Sequence, residues 1–224
     1  MELPNRDDNE ADLTAMLGSV FEPWAASLIR GGAINWDRFR DQLEQALRDK
    51  LAAMFLLIVL LWGETTGLED PRENAVRAAV DWAVNHARGV SQRIVDSVRQ
   101  GWLDLRQRIA TLSLPPEEVR ALLDRQRAEM IAITEITRAH NAGLRYIARR
   151  FADVTGDDLA PFWITEKDDR VCPICSPLHL KPREVWEPLF PLGPPAHPRC
   201  RCWTSWLMLQ KNGLQFPRFA ARIA

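Results

Sequence analysis

All four cysteines of this 224-residue chain fall between positions 172 and 202, in the strings Cys172-Pro-Ile-Cys175 and His197-Pro-Arg-Cys200-Arg-Cys202. No other feature narrows the possible folds as far. A two-residue spacer lets two side chains turn toward one point, so each string can offer a ligand pair to one ion at about 2.0–2.3 Å. Two such pairs separated by a loop make a zinc-ribbon-like arrangement. Pro173 and Pro198 stiffen the two strings and lower the entropy lost when the site orders. Five donors compete for four positions. Cys172, Cys175 and Cys200 take three, and His197 or Cys202 takes the fourth. His197 is preferred because His197-x-x-Cys200 repeats the first spacing. The alternative is that Cys200-x-Cys202 chelates from one face of an extended strand. His179 is a remote sixth candidate.

The first eight residues are polar and lack the apolar segment of a secretory signal, so a reducing compartment is expected. There, clustered cysteines bind metal more often than they form disulfides. Buried free thiols and disulfides are the competing readings. The zinc is expected to be structural. A catalytic zinc keeps a position open for water, whereas protein ligands can fill every position here. Neither His-Glu-x-x-His nor a His-x-Glu element upstream of the cysteines is present. Glu166 and Glu184 are near the site only in sequence. His86 and His140 fall in helical segments with no nucleophile at a telling spacing. No catalytic residue and no small-molecule substrate are expected, and a zinc-dependent hydrolase is the remotest alternative.

The remainder of the chain predicts an α+β fold, a mostly helical N-terminal region followed by a small, loop-rich zinc-bound module with short strands. Trp36, Phe39, Leu43 and Leu47 recur at helical spacing. The run Leu51–Trp62 is apolar on every face but shorter than the roughly 20 residues of a membrane span. It predicts a buried or partner-facing helix, with core packing preferred. Gly63 and Gly67 are expected to break it, and Pro71 to start the next helix. From Arg72 to Ile109, the inward candidates are Val76, Val80, Val84, Ile94 and Val98. After Leu112–Pro116, a last long helix is expected over about 116–151, burying Val119, Leu122, Met130, Ile133, Leu144 and Ile147. Prolines then become dense, which excludes long helices. Phe162–Thr165 and Cys202–Trp206 read as short strands. These patterns divide the chain into a helical region 1–151, a zinc-clamped module 152–210 and a tail 211–224. Trp163, Trp186, Trp203 and Trp206 are the expected core of the module. A formal net charge of -1 gives no global basic field. Arg145, Arg149, Arg150, Arg170, Arg183, Arg199 and Arg201 read as a solvated face interleaved with Asp153, Asp157, Asp158 and Asp168, with phosphate contact as the alternative.

The second half of the chain resembles the phage head-morphogenesis domain, of the Mu F-like or SPP1 gp7-like kind. The resemblance covers roughly residues 120–206. It starts at Thr134-Glu135 and Asn141-Ala142-Gly143 and continues through Trp163-Ile164-Thr165 and Asp169-Arg170-Val171-Cys172-Pro173-Ile174-Cys175. It ends at Pro194-Pro195-Ala196-His197-Pro198-Arg199-Cys200-Arg201-Cys202, its most specific part. Members often carry a glycine shortly after the second knuckle cysteine, where this chain has Leu178-His179-Leu180-Lys181. The resemblance implies a minor head protein of a phage or prophage that associates with portal, scaffold or capsid proteins. It would support head assembly or DNA delivery in the virion head or the host cytoplasm. Contact with packaged DNA through the zinc module is the alternative role.

Overall fold

The computed structural model describes residues 3–31, 33–68, 72–108, 116–157, 159–166, 170–210 and 213–215. The chain packs as two compact units. One comprises Met1–Pro4, Ala52–Ala79 and Ile133–Ala224, and the other Asn5–Leu51 and Val80–Ala132. Helices dominate, and the strands are confined to the C-terminal part. This is the α+β arrangement that the sequence predicts. Pro71, residues 112–115 and all of the tail 211–224 except 213–215 lie outside the described residues.

In the second unit, α1 (Arg6–Ile29) buries Leu13, Leu17, Phe21, Ala25 and Leu28, a single stripe at three- and four-residue steps. It runs antiparallel to the first half of α2 (Trp36–Thr66). Lys50 Nζ reaches Asn9 Oδ1 at 2.9 Å near one end, and Trp24 Nε1 donates to Gln42 Oε1 at 2.7 Å near the other. Phe21 meets Phe39 edge-on between them. Asn35 caps α2 by accepting from the Arg38 amide at 3.0 Å. The apolar run lies inside α2. Leu51, Met54, Phe55, Ile58, Val59 and Trp62 are buried, while Leu56, Leu57, Leu60 and Leu61 are half-buried.

Three expectations change. Gly63 does not break α2, which continues to Thr66. Gly67 ends it with φ of 69°, a conformation open to glycine at little cost. In α3 (Arg72–Arg108), Val76 and Val80 are exposed. The buried stripe is instead Ala75, Ala79, Ala83 and Ala87, continuing as Val90, Ile94, Val98 and Trp102. One residue of offset turns a helix by about 100°, so valines chosen for their hydrophobicity mark the wrong face. Finally, the helix expected over 116–151 is two helices, α4 (Pro116–Ala121) and α5 (Arg125–Thr155). Asp124 separates them, because its Oδ1 accepts from the Arg127 amide at 2.7 Å and caps α5.

The first unit centres on α5. Gly143 lets α5 approach α2 closely, because a Cβ there would lie 2.8 Å from the Phe55 carbonyl oxygen. Trp62 packs edge-on against Phe151, and Phe55 lies against Tyr146. Beyond α5, strand β1 (Leu159–Ile164) pairs antiparallel with β2 (Trp203–Gln210), placing Trp163 opposite Thr204. β3 (Gly213–Gln215) pairs on the far side of β2. Pro161 cannot donate a ladder hydrogen bond, and it sits on an outer strand of this sheet. The outer edge of β1 is met by the loop, with Leu180 N donating to Trp163 O at 2.7 Å and Trp163 N to Lys181 O at 2.9 Å. Between β1 and β2 lie a 3-10 turn, Ser176–Leu178, and the short α6, Arg183–Trp186. Among the described residues, no helix is long and apolar enough to cross a membrane.

Candidate metal centre

The two cysteine strings fold as matching turns. Cys175 N donates to Cys172 O at 3.1 Å, and Cys200 N donates to His197 O at 3.2 Å. Each turn brings its first and fourth side chains to one side, as the two-residue spacer requires. The first turn is tightened by the Cys175 amide, which lies 3.4 Å from Cys172 Sγ. The second places Arg199 in the left-handed region, φ 62°. Its amide donates to Thr134 Oγ1 at 3.0 Å.

The donors converge. His197 Nε2 lies 2.9 Å from Cys172 Sγ and 3.3 Å from Cys175 Sγ, and Cys175 Sγ lies 3.8 Å from Cys200 Sγ. Tetrahedral zinc with bonds of about 2.3 Å to sulfur sets neighbouring sulfurs about 3.8 Å apart. Two groups of three could hold a metal, Cys172–Cys175–His197 and Cys175–Cys200–Cys202, with ligand atoms within 4.8 Å in each. Cys175 belongs to both groups, with His197 grouped beside the first knuckle and Cys202 beside Cys200. The small void between them, about 10 Å³, has Glu166, Arg170, Arg199 and Arg201 among its other walls. His179 points elsewhere, its Nδ1 accepting from the Thr165 amide at 3.2 Å. Glu184 is not among the residues lining the void.

The chemistry of the donors fits a cation. His197 Nδ1 lies 2.7 Å from Pro198 O. A carbonyl only accepts, so Nδ1 carries the proton, and Nε2 turns its lone pair toward the sulfurs. Cys175, Cys200 and Cys202 are buried. Hydrogen bonds from Cys175 and Cys202 hold the Cys200 thiol well below its usual range, down to about 2. The Cys175 thiol is pushed up, first by its hydrogen bond to Cys200 and also by burial. Three buried sulfurs side by side thus favour a single thiolate. A divalent ion would supply the positive charge that lets the others ionise. At Cys202 the hydrogen bond to Cys175 pulls the thiol down, but the hydrogen bond to Cys200 and burial outweigh it and push the thiol up to about 12.

Two structures support the cluster. Behind it, the buried cysteines pack with Trp163, Leu178 and Trp186, and Trp163 meets Trp186 and Phe190 at 5.8 and 5.6 Å between ring centres. Of the four tryptophans expected in this core, Trp163, Trp186 and Trp203 are buried and Trp206 is half-buried. Beside it runs a polar stripe of α5. Thr137 Oγ1 donates to Cys200 O at 2.7 Å. Asn141 Nδ2 donates to Cys202 O at 3.1 Å, and its Oδ1 accepts from Thr204 N at 2.9 Å. Arg145 Nη1 donates to Leu192 O at 2.8 Å. Sequence reasoning assigned no site role to Thr134, Thr137 or Asn141. The available signal was their helical spacing, polar residues at steps of three and four within an apolar helix. His140 is fully buried and stacks on Trp203. Of the arginine-rich set, Arg150 lies 3.8 Å from Asp153 and Arg183 pairs with Glu187.

Matching Cys/His turns, docked on α5 and flanked by a three-stranded sheet, bring together side chains that could hold a metal. The model of the family described as phage Mu protein F like matches residues 88–205, more than half of the chain. The chain belongs to that family, and is a phage head morphogenesis protein of the Mu F-like kind. The match begins in α3, upstream of the motifs on which the resemblance rested. No curated protein and no solved structure matches the chain at a stringent threshold.

Proposed function

We propose that Cys172, Cys175, His197 and Cys200 hold one structural zinc, with Cys202 packed beside it. The zinc-clamped module 152–210 is then the part by which this minor head protein joins a phage head. The carrying observation is the convergence of donors from two matched turns on one small void, with the His197 tautomer fixed so that Nε2 faces the sulfurs. Structural zinc contributes about 10–16 kcal/mol in small peptides at neutral pH, which suits a proline-dense segment with little core of its own. The clamped loops leave Ile174, Leu180, Val185, Leu189 and Leu192 exposed, and Leu192 is 84% accessible. Apolar side chains held rigidly at a surface suit a protein partner. In a head protein, that partner is the portal, scaffold or capsid protein, met during assembly in the host cytoplasm and retained in the virion head. The role is non-enzymatic, because protein donors fill the metal's positions.

Native mass spectrometry of protein purified without added metal tests the first part. One zinc per chain is expected, lost on chelation together with the fold of residues 159–206. Cys175→Ala should abolish both zinc binding and incorporation into heads, while Cys202→Ser should keep the zinc. A metal-free chain that stays folded, or normal incorporation of metal-free Cys175→Ala protein, would sink the proposal. The presence of Arg170, Arg199 and Arg201 around the void favours a second reading, contact with packaged DNA. That reading requires steeply salt-dependent DNA binding, and no retention on DNA at low salt would remove it.

A further inference from the structure

A second site lies within the helical unit of residues 5–51 and 80–132. There, the turn between α1 and α2 faces the C-terminal half of α3 across an open cleft of about 240 Å³. Ile34 and Trp36 form one wall, and Arg99, Trp102, Leu103 and Arg106 the other. Leu103 is 42% exposed. Arg99 and Arg106 are seven residues apart, so they share one face of α3 about 10 Å apart along its axis. Among the described residues, no carboxylate lines the cleft. The nearest acids on the same helix are engaged by glutamines. Asp96 accepts from Gln92 at 2.9 Å and Asp104 from Gln100 at 2.8 Å. Neither Arg99 nor Arg106 makes an ion pair among the described residues.

An apolar floor with a cation at each end selects its ligand by chemistry. The ligand must bring one apolar group and negative charge on both sides of it. Single-stranded nucleic acid carries charge but needs a free aromatic face for its bases. Trp102 does not offer one, being buried with the Arg106 guanidinium over its ring, 6.0 Å from the centroid, and the half-buried Trp36 leaves at most one aromatic for successive bases. Much of the remaining floor is aliphatic, Ile34 and Leu103. We infer that this cleft docks an acidic, apolar segment of another protein. One side chain the size of leucine or phenylalanine would enter the cleft, and its flanking carboxylates would bond to Arg99 and Arg106. The site is separate from the cysteine cluster and stands whether or not a metal binds there.

The test uses the full chain and follows the indole N–H resonances of Trp36 and Trp102. Three probes are added at low salt: acetyl-Glu-Leu-Phe-Glu-amide, its uncharged counterpart acetyl-Gln-Leu-Phe-Gln-amide, and an eight-residue oligothymidylate. The acidic peptide is expected to shift both resonances and to bind at least about tenfold more tightly than the glutamine peptide, as charge-assisted bonds require. The double variant Arg99→Gln, Arg106→Gln should erase that difference while lowering Tm by no more than about 4 °C, the effect of losing the exposed contact between Arg106 and Trp102. Equal binding of the two peptides, or no shift at either indole, overturns the inference. Oligothymidylate that shifts the same resonances in an arginine-dependent way overturns it in favour of a nucleic-acid site.

Discussion

Helix α5 carries two seams of opposite character. On one side, Gly143, Tyr146 and Phe151 meet Phe55, Ile58 and Trp62 of α2. On the other, Thr134, Thr137, Asn141 and Arg145 bond to the backbone of the loop around the second knuckle. At about 100° per residue, Asn141 and Gly143 point about 200° apart. The apolar seam gains stability by excluding water and is indifferent to small shifts along the helix. The polar seam works only in one register, because each buried donor must meet its own carbonyl. One seam fastens the helix, and the other fixes the position of Cys200 and Cys202 to within a hydrogen bond. A metal site needs that second kind of support, since ligand placement decides affinity.

The strongest way to separate the seams is Asn141→Ala. It removes the donor to Cys202 O and the acceptor for Thr204 N, both buried. An unmet buried polar group costs about 1–3 kcal/mol, so a loss of about 2–4 kcal/mol is expected. Metal affinity should fall by less than about tenfold, because Asn141 holds Cys202, beside the zinc, and reaches the ligand Cys200 only through the chain. Calorimetry of unfolding and a competitive chelator titration would measure both. A loss under about 1 kcal/mol with unchanged metal affinity would show that the knuckle positions itself without α5.

The seams also differ in how far the sequence exposes them. The cluster was legible because short spacers set which donors can meet, Cys172 and Cys175 with His197, and Cys175 with Cys200 and Cys202. Spacing did not choose between His197 and Cys202, because both approach Cys175 in the folded chain. Periodicity revealed the helices and found Ile94 and Val98, but it misjudged the inward face at the start of α3, where alanines at the same four-residue step displace Val76 and Val80. It also ran through Asp124, whose side chain caps the start of α5 with a single hydrogen bond. The strings around Thr134 and Asn141 were visible as motifs, yet their purpose was not. A threonine that accepts from a backbone amide 65 positions away leaves no local trace.

Gly143→Ala probes the apolar seam. The added Cβ meets the Phe55 carbonyl, and backbone cannot swing aside as a flexible side chain can. Overpacking costs about 1–3 kcal/mol, offset by about 1 kcal/mol of helix propensity. A net loss of up to about 2 kcal/mol is therefore expected, seen as a lower Tm. Because the substitution lies on the other face of α5, zinc stoichiometry and affinity should stay unchanged. A drop in metal affinity comparable to that of Asn141→Ala would mean that the two seams act as one, and the contrast between them would fail.

Leu180 gives the smallest and most discriminating effect. It adopts φ of 59°, a region that costs a non-glycine residue about 1–2 kcal/mol. Its position is fixed from both sides, by its own amide to Trp163 O at 2.7 Å and by Lys181 N to Leu178 O at 2.9 Å. Its side chain is 61% exposed, so packing returns little. Glycine would relieve the strain but lose more entropy on folding, about 0.5–1 kcal/mol. Leu180→Gly is therefore expected to stabilise the module by up to about 1 kcal/mol, with the zinc unaffected. Strain kept at an exposed apolar residue points to use of its side chain. If Leu180 belongs to the surface that meets a head protein, the same variant should enter heads less well although it is more stable. A destabilised variant with normal head incorporation would show that the leucine serves the fold, and would remove Leu180 from the proposed binding surface.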